Sequence, residues 1–208
     1  MSKPLSVARV ARLLLGLVLY GVADGLMVMA HVGVDPWTVF ATGLAAHTGT
    51  GVGWLTNVIG LVVLLLWIPL RQKPGLGTVL NVLLVGTVMQ VTLDVLPGAT
   101  HLGGRIALFA AGMLLLAVAS GVYIGAGLGP GPRDGLMTGL HARTGRPIWQ
   151  CRGVVEVSVL VVGWLLGGDV GVGTVVFAFG IGPLVGLVLP RLDGSRAARP
   201  VVAPAVAR

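Results

Sequence analysis

A few ionisable side chains interrupt otherwise apolar stretches of this 208-residue chain, and they are its main candidates for chemistry. Glu156 follows Arg152 by four residues, a spacing that allows an ion pair on one face of a helix. Asp24 stands alone in a long apolar run, whereas Arg133 and Asp134 follow a segment rich in glycine and proline. Charges are costly in lipid, so such groups indicate substrate-binding or proton-transfer sites in membrane proteins.

Each of these residues also has a purely structural alternative. Arg152 and Glu156 would only hold helices in register if they merely neutralise one another. Asp134 would meet the positive end of a short helix, and we expect Arg133 to meet a lipid phosphate or Glu156. Asp24 has no charged neighbour one helical turn away, so it must face the helix bundle or stay protonated.

Other kinds of chemistry have little support in the sequence. The four histidines form no cluster with carboxylates or cysteines that would suggest a metal site, and Cys151 is the only cysteine. Ser120 lacks the Gly-x-Ser-x-Gly context of a nucleophile. We therefore expect no enzymatic activity, no metal site and no cofactor.

Composition indicates which elements position the candidate residues. The chain is 55% hydrophobic and 10% charged, with a mean hydropathy of +0.97, whereas soluble domains average about 25% charged residues. Its apolar runs are almost uncharged, lack the alternation of barrel strands and approach the ~20 residues of a membrane-spanning helix. They cover residues 13–30, 51–70, 76–93, 106–128, 153–166 and 170–190. These runs predict an all-α integral membrane protein.

An internal repeat relates the two halves of the chain at a constant shift of 96 residues. The shift places Gly33 on Gly129 and Pro36 on Pro132, and it also places Thr48-Gly49 on Thr144-Gly145. The motif Gly75-Leu-Gly-Thr78 falls in the same way on Gly171-Val-Gly-Thr174. Matches of glycine, proline and threonine at one offset are harder to obtain by compositional bias than matches of valine. We therefore predict two tandem repeats, residues 9–96 and 105–192.

Each repeat contains a helix break followed by a short segment, residues 36–47 in the first and 132–142 in the second. The breaks contain a characteristic set of residues: Gly33 and Pro36 in the first, and Gly129, Pro130 and Pro132 in the second. A dozen residues of helix extend only about 18 Å, too short to span unaided. Proline suits a first helical turn and glycine a helix end. Each repeat is thus predicted to hold three transmembrane helices plus one short broken or re-entrant helix.

Charge distribution favours six spans and opposite orientations of the two repeats. With six spans and a cytoplasmic N-terminus, all basic residues except Arg105 are cytoplasmic, as the positive-inside rule requires; with eight spans several move outside. The basic turn at residues 71–73 corresponds to 167–169, which has no basic residue, while the uncharged turn 47–50 corresponds to Arg143–Arg146. Equivalent loops with opposite charge indicate inverted repeats.

The ends of the chain and the tryptophans add to this membrane topology. We expect residues 1–8 and a disordered basic tail, 193–208, to lie on the cytoplasmic side of the cell membrane, with the tail attracted to anionic lipid. The net charge of +7 is explained by membrane orientation rather than by nucleic acid. The tryptophans lie near predicted helix ends, which predicts an interfacial belt: Trp37, Trp54, Trp67, Trp149 and Trp164.

The motifs at the two breaks resemble a known family. The stretches Gly33-Val-Asp-Pro-Trp37 and Gly129-Pro-Gly-Pro-Arg-Asp-Gly-Leu-Met137, followed by Arg152 and Glu156, resemble the YczE branch of the YczE/YyaS/YitT bacterial membrane proteins. The resemblance extends over about residues 9–192, and Asp35 departs from the small residue expected in the first break. It implies a multi-pass protein of the cytoplasmic membrane, in a family whose activity is largely unassigned, and it gives no substrate.

Two functions follow as hypotheses. The first is a small-solute transporter or channel-like protein, in which the two breaks meet near the repeat interface and the ionisable residues named above form the substrate site. The alternative is a non-transporting accessory protein that scaffolds or regulates a partner complex. The expected partners are the lipid bilayer and a small solute but not nucleic acid, and a homo-oligomer is compatible with the sequence.

Overall fold

Eight α-helices make up the regular structure of residues 6–192, which are the residues that the computed structural model describes. They are α1 (Val7–Ala30), α2 (Pro36–Thr48), α3 (Val52–Leu70), α4 (Leu76–Val95), α5 (Leu102–Gly125), α6 (Pro132–Thr144), α7 (Ile148–Leu165) and α8 (Val172–Leu192). Six of them are long and apolar enough to cross a membrane, whereas α2 and α6 are too short. The predicted all-α, multi-pass membrane architecture is confirmed. The predicted tail, 193–208, and residues 1–5 lie outside the described residues.

Proline and glycine define the two short helices, as the sequence predicts. Pro36 and Pro132 are the first residues of α2 and α6, where the missing N–H of proline costs no hydrogen bond. Gly49 and Gly145 follow the last residues, and both have φ +67°. This left-handed conformation suits glycine and stops a helix.

Helices α1 and α5 form a close antiparallel pair at the centre of the bundle. A Cβ on Gly16, in the first half of α1, would lie 2.7 Å from the Cβ of Tyr123, near the end of α5. A Cβ on Gly112, in the middle of α5, would lie 2.7 Å from Cγ of Met27, near the end of α1. Small residues at these crossings let the backbones approach.

Two arginines close the ends of this helix pair in the same way. Nε of Arg9, in α1, donates to the carbonyl of Ala126 over 3.0 Å, just beyond the end of α5. Nε of Arg105, in α5, donates to the carbonyl of Ala30 over 2.7 Å, at the end of α1. A second nitrogen of each arginine reaches the next carbonyl along the chain. Carbonyls at helix ends otherwise lack partners, so each helix caps the other.

The remaining helices pack around the central pair. Helix α4 lies on α1, and α8 lies on α5. The short helices pack across the halves of the chain, α2 on α7 and α6 on α3. Helix α3 also packs along α4, whereas α7 and α8 make almost no contact with each other. The short helices are therefore held between the two halves.

Two tryptophans occupy the protein interior, so their predicted interfacial placement was wrong. Trp37, at the start of α2, is buried beside Ile59 and Leu136. Trp67, near the end of α3, is only 2% exposed and donates from Nε1 to the carbonyl of Pro132 over 3.0 Å. The packing of α2 and α6 between the halves buries both rings. Trp54, Trp149 and Trp164 are exposed, as an interfacial position requires.

Candidate functional site

The first helix break is fixed against the start of α8. Gly33 has φ +104°, and a Cβ there would lie 2.5 Å from the backbone nitrogen of Gly171. The backbone N–H of Gly173 donates to the carbonyl of Val32 over 2.7 Å. Only glycine combines this conformation with this close approach. The break is thus a tightly packed connection rather than a loose loop.

The second helix break is fixed in the same way against the start of α4. Gly129 has φ +124°, and a Cβ there would lie 3.0 Å from Cα of Gly75. The backbone N–H of Gly77 donates to the carbonyl of Leu128 over 2.8 Å. The hydroxyl of Thr78 donates to the carbonyl of Pro130, also predicted as a break residue, over 2.7 Å. Both breaks therefore hold their short helices at defined positions.

An ion pair joins the starts of the two short helices. Nη1 of Arg133, in the first turn of α6, lies 3.1 Å from Oδ1 of Asp35, the residue before α2. Asp35 is only 5% exposed and also accepts from the backbone N–H of Trp37 over 3.1 Å and from the hydroxyl of Thr38. Cζ of Arg133 lies 5.4 Å from the centroid of the Trp37 ring. Asp35 thus caps α2 and neutralises Arg133 of α6.

The partner predicted for Arg133 was wrong. We expected a lipid phosphate or Glu156, and the side chain instead bonds to Asp35, 98 residues away. Asp35 stood out in the sequence only as a departure from the family motif. Its position directly before Pro36 is the signal that was missed, because aspartate before a helix-starting proline is a typical N-cap. The buried carboxylate of Asp35 lies next to the guanidinium of Arg133. It therefore pairs with Arg133 in place of a lipid phosphate or Glu156.

The predicted pair on α7 is confirmed. Nε of Arg152 lies 2.9 Å from Oε1 of Glu156, one helical turn on. Their side chains are 55% and 31% exposed, so this pair is much more accessible than Arg133 and Asp35. Solvent weakens such exposed pairs. Both groups are therefore available to a charged ligand.

A cavity of about 640 Å³ brings most of the predicted site residues together. Arg133, Asp134, Arg152 and Glu156 all line it, together with Asp35. Its volume falls within the roughly 300–1,000 Å³ of small-ligand sites. The cavity therefore carries both positive and negative groups in a space of ligand size.

Asp24 is placed differently from the other predicted site residues. It is buried inside α1 and is not part of the cavity lining. Its Oδ2 has no hydrogen-bond partner among residues 6–192. The structure thus confirms that this carboxyl faces the bundle, but it does not place Asp24 on the cavity wall with the other four.

The other cavity walls are uncharged and differ between helices. Tyr20, Asn81, Ser120 and Tyr123 contribute hydroxyl and amide groups from the central helices α1, α4 and α5. Helix α8 contributes aliphatic and aromatic side chains and glycines only. No group of three or more histidine, cysteine, aspartate or glutamate side chains in the described part of the chain could hold a metal ion. The site's chemistry thus rests on guanidinium, carboxylate and hydroxyl groups.

Comparisons with known proteins agree with the resemblance found in the sequence. The model of DUF6198, a family of unknown function, matches residues 7–190. An uncharacterised protein of Haemophilus influenzae is 40% identical over 173 residues, 83% of this chain and 79% of that protein. The uncharacterised membrane protein YczE of Bacillus subtilis is 34% identical over 160 residues, 76% of this chain and 74% of YczE. No solved structure matches the chain significantly. The chain therefore belongs to the DUF6198 family of YczE-like membrane proteins.

Proposed function

We propose that the protein is a small-solute transporter or channel-like protein of the cytoplasmic membrane, and that its solute binds in the cavity beside Asp35 and Arg133. The observation that carries the proposal is the ion pair that joins the starts of α2 and α6 at a cavity of ligand size. Ionisable groups that face an internal cavity of a membrane protein are typical of solute pathways.

The charged residues take distinct roles in this proposal. Asp134 and Glu156 attract a positive group of the solute, and Arg152 attracts a negative one. Arg133 and Asp35 connect the two short helices, so the state of their ion pair links the position of α2 to that of α6. A solute that competes for either partner would loosen this link.

We further propose that the two halves are inverted repeats, with both termini on the cytoplasmic side. The antiparallel α1 and α5, which are equivalent helices at the shift of 96 residues, support this arrangement. The matching contacts of Arg9 and Arg105, and of Gly33 and Gly129, support it as well. Inverted repeats with broken helices are common in transporters, whose sites lie at the repeat interface.

Inversion predicts that equivalent turns lie on opposite sides of the membrane. We expect Thr50→Cys, between α2 and α3, to react with an impermeant maleimide from outside the cell, and Arg146→Cys, between α6 and α7, only from inside. Both residues are exposed, and the native thiol is removed by Cys151→Ser. Labelling in intact cells and in inverted vesicles measures the two sides. Reaction of both thiols from one side would contradict inversion and remove its support for transport.

A solute pathway predicts that the cavity is reached from both sides. We expect Ser120→Cys, on the cavity wall, to react with a small charged thiol reagent added to either side, because a transporter exposes its site alternately. Ala117→Cys, also on α5 but outside the cavity lining and 1% exposed, is the matched control and should not react. The measurement is the rate of modification in oriented vesicles that carry Cys151→Ser.

The same experiment separates transport from the accessory role. Reaction of Ser120→Cys from one side only, or from neither, would favour a protein that scaffolds a partner complex. Removal of residues 193–208 then provides a second arm. A transport core should keep its two-sided reactivity without this segment, whereas an accessory protein that docks through it should lose its partner.

A further inference from the structure

The interface between α3 and α4, here called the α3–α4 seam, is formed by small and polar residues. A Cβ on Gly86 would lie 2.2 Å from the carbonyl oxygen of Gly53, so the two backbones are in close contact. Nδ2 of Asn57 donates to the hydroxyl of Thr87 over 2.9 Å. Oε1 of Gln90 accepts from the backbone N–H of Gly53 over 3.0 Å. Small residues and interhelical hydrogen bonds are what hold helices together in lipid.

The equivalent seam between α7 and α8 keeps the glycine of Gly86, as Gly182, but lacks the other features. At the shift of 96 residues, Gly53 becomes Trp149, and Asn57 and Thr87 become Gly153 and Pro183. Gln90 becomes Gly186. No hydrogen bond is left to join the helices, and a bulky ring replaces the glycine at the close contact. This sequence difference explains why α7 and α8 make almost no contact with each other.

The gap between α7 and α8, here called the α7–α8 cleft, leads into the cavity. Gly182 and Gly186 of α8 line the cavity, and a Cβ on either would meet nothing within 4 Å. Arg152 and Glu156 line it from α7. The cavity is therefore bordered by the space between α7 and α8, two helices that in the proposed membrane arrangement face the hydrocarbon of the bilayer.

The two sides of this opening differ in chemistry. On the α8 side the lining is apolar, with Phe177, Ile181 and Val185. On the opposite side Asp134 and Glu156 are negative and Arg152 is positive. Asp134 has no ion-pair partner within 4 Å in residues 6–192. A molecule that satisfies both sides has an apolar chain and a headgroup that carries both charges.

We infer that the solute is such an amphiphile, and that it enters from the bilayer through the α7–α8 cleft. Its chain lies along Phe177 and Ile181, its cationic group faces Asp134 or Glu156, and its anionic group faces Arg152. The inference rests on the proposed function and specifies its substrate class. Sideways access suits such a solute, because its chain stays in apolar surroundings throughout.

A photoreactive lysophosphatidylethanolamine with a diazirine on its acyl chain tests the inference in liposomes that contain the full chain. We expect an adduct on Leu116, a cavity-lining residue of α5 that is only 2% exposed. Gly182→Phe places a ring in the cleft and should reduce this adduct by about tenfold or more. Val175→Phe is the matched control, because Val175 lies on α8, exposed and outside the cavity lining, and the adduct should persist. Peptide mass spectrometry measures the adducts.

Competition with unlabelled compounds tests the part played by the chain. Excess lysophosphatidylethanolamine should suppress the Leu116 adduct, whereas excess glycerophosphoethanolamine, which has the same headgroup and no chain, should not. Equal competition by both would overturn the inference in favour of a water-soluble solute. Labelling of Leu116 that persists in Gly182→Phe would overturn access through the cleft.

Two further outcomes would also overturn the inference. Adducts on Phe179, an outward residue of α8 that is 79% exposed, without any on Leu116 would show that lipid stays outside the cavity. Adducts on neither residue would show that the amphiphile reaches neither the cavity nor the outer face of α8. The photolabelling detects occupancy alone, so its failure leaves the two-sided reactivity of Ser120→Cys, and with it the proposed function, unaffected.

Discussion

Neutralisation of Arg133 alone, as Arg133→Gln, is expected to lower the free energy of unfolding by roughly 3 kcal/mol. The substitution leaves the carboxylate of Asp35, which is only 5% exposed, without the cation 3.1 Å away. Removal of one partner of a buried pair is costly because the other charge stays desolvated. Equilibrium unfolding in mixed detergent micelles measures the change.

Two control variants separate charge pairing from other effects of this substitution. Arg152→Gln removes the cation of the exposed α7 pair and should cost less than about 1 kcal/mol. Asp35→Asn combined with Arg133→Gln should recover most of the stability, because asparagine still caps α2 and neither member of the pair keeps a charge. A double variant as unstable as the sum of the two single variants would contradict a charge-pairing role.

Substitution of Gly135 by alanine is expected to destabilise the protein by about 3 kcal/mol through overpacking. The new Cβ would lie 1.8 Å from Cζ2 of Trp67. The ring cannot easily move, because it is buried and its Nε1 is bonded to the carbonyl of Pro132. The unfolding midpoint and the yield of folded protein measure the effect.

The same change at Gly153 provides the matched control. Gly153 lies inside α7, and a Cβ there would meet nothing within 4 Å, so alanine should stabilise the helix by up to about 1 kcal/mol. Trp67→Phe removes Cζ2, the ring atom that the new Cβ of Gly135→Ala would contact. The two substitutions together should therefore destabilise the protein by less than the sum of their separate effects. Equal stabilities of Gly135→Ala and Gly153→Ala would show that α6 shifts freely away from α3.

The short helices could be predicted closely from the sequence because their limits depend on local backbone chemistry. Pro36 and Pro132 begin α2 and α6 because proline has no N–H to lose in a first turn. Gly49 and Gly145 end them because glycine tolerates a positive φ. The pair Arg152 and Glu156 was also predictable, since four residues along one helix bring side chains together.

The centre of the site could not be predicted because it depends on contacts between distant segments. Asp35 and Arg133 meet only because α2 and α6 pack between the halves of the chain. No local pattern specifies that geometry. The burial of Trp37 follows from the same packing. The sequence alone shows only that this tryptophan lies near the end of a predicted helix.

The α7–α8 cleft illustrates a different limit of sequence analysis. Hydropathy identifies α7 and α8, like α3 and α4, as candidate membrane-spanning helices. It does not show whether two apolar helices touch. The comparison of equivalent seam positions in the two halves, such as Asn57 and Gly153, does carry this information once one seam has been seen in the structure.

If the halves are inverted repeats, as proposed, the matching bonds of Arg9 and Arg105 make the surface between them self-complementary. Such a surface is the kind that two copies of one short polypeptide present to each other in a twofold dimer. The contacts between the halves thus determine how the halves assemble with each other. The covalent connection at residues 96–101 fixes their one-to-one stoichiometry, while the arginines and glycines of the central helices fix their arrangement.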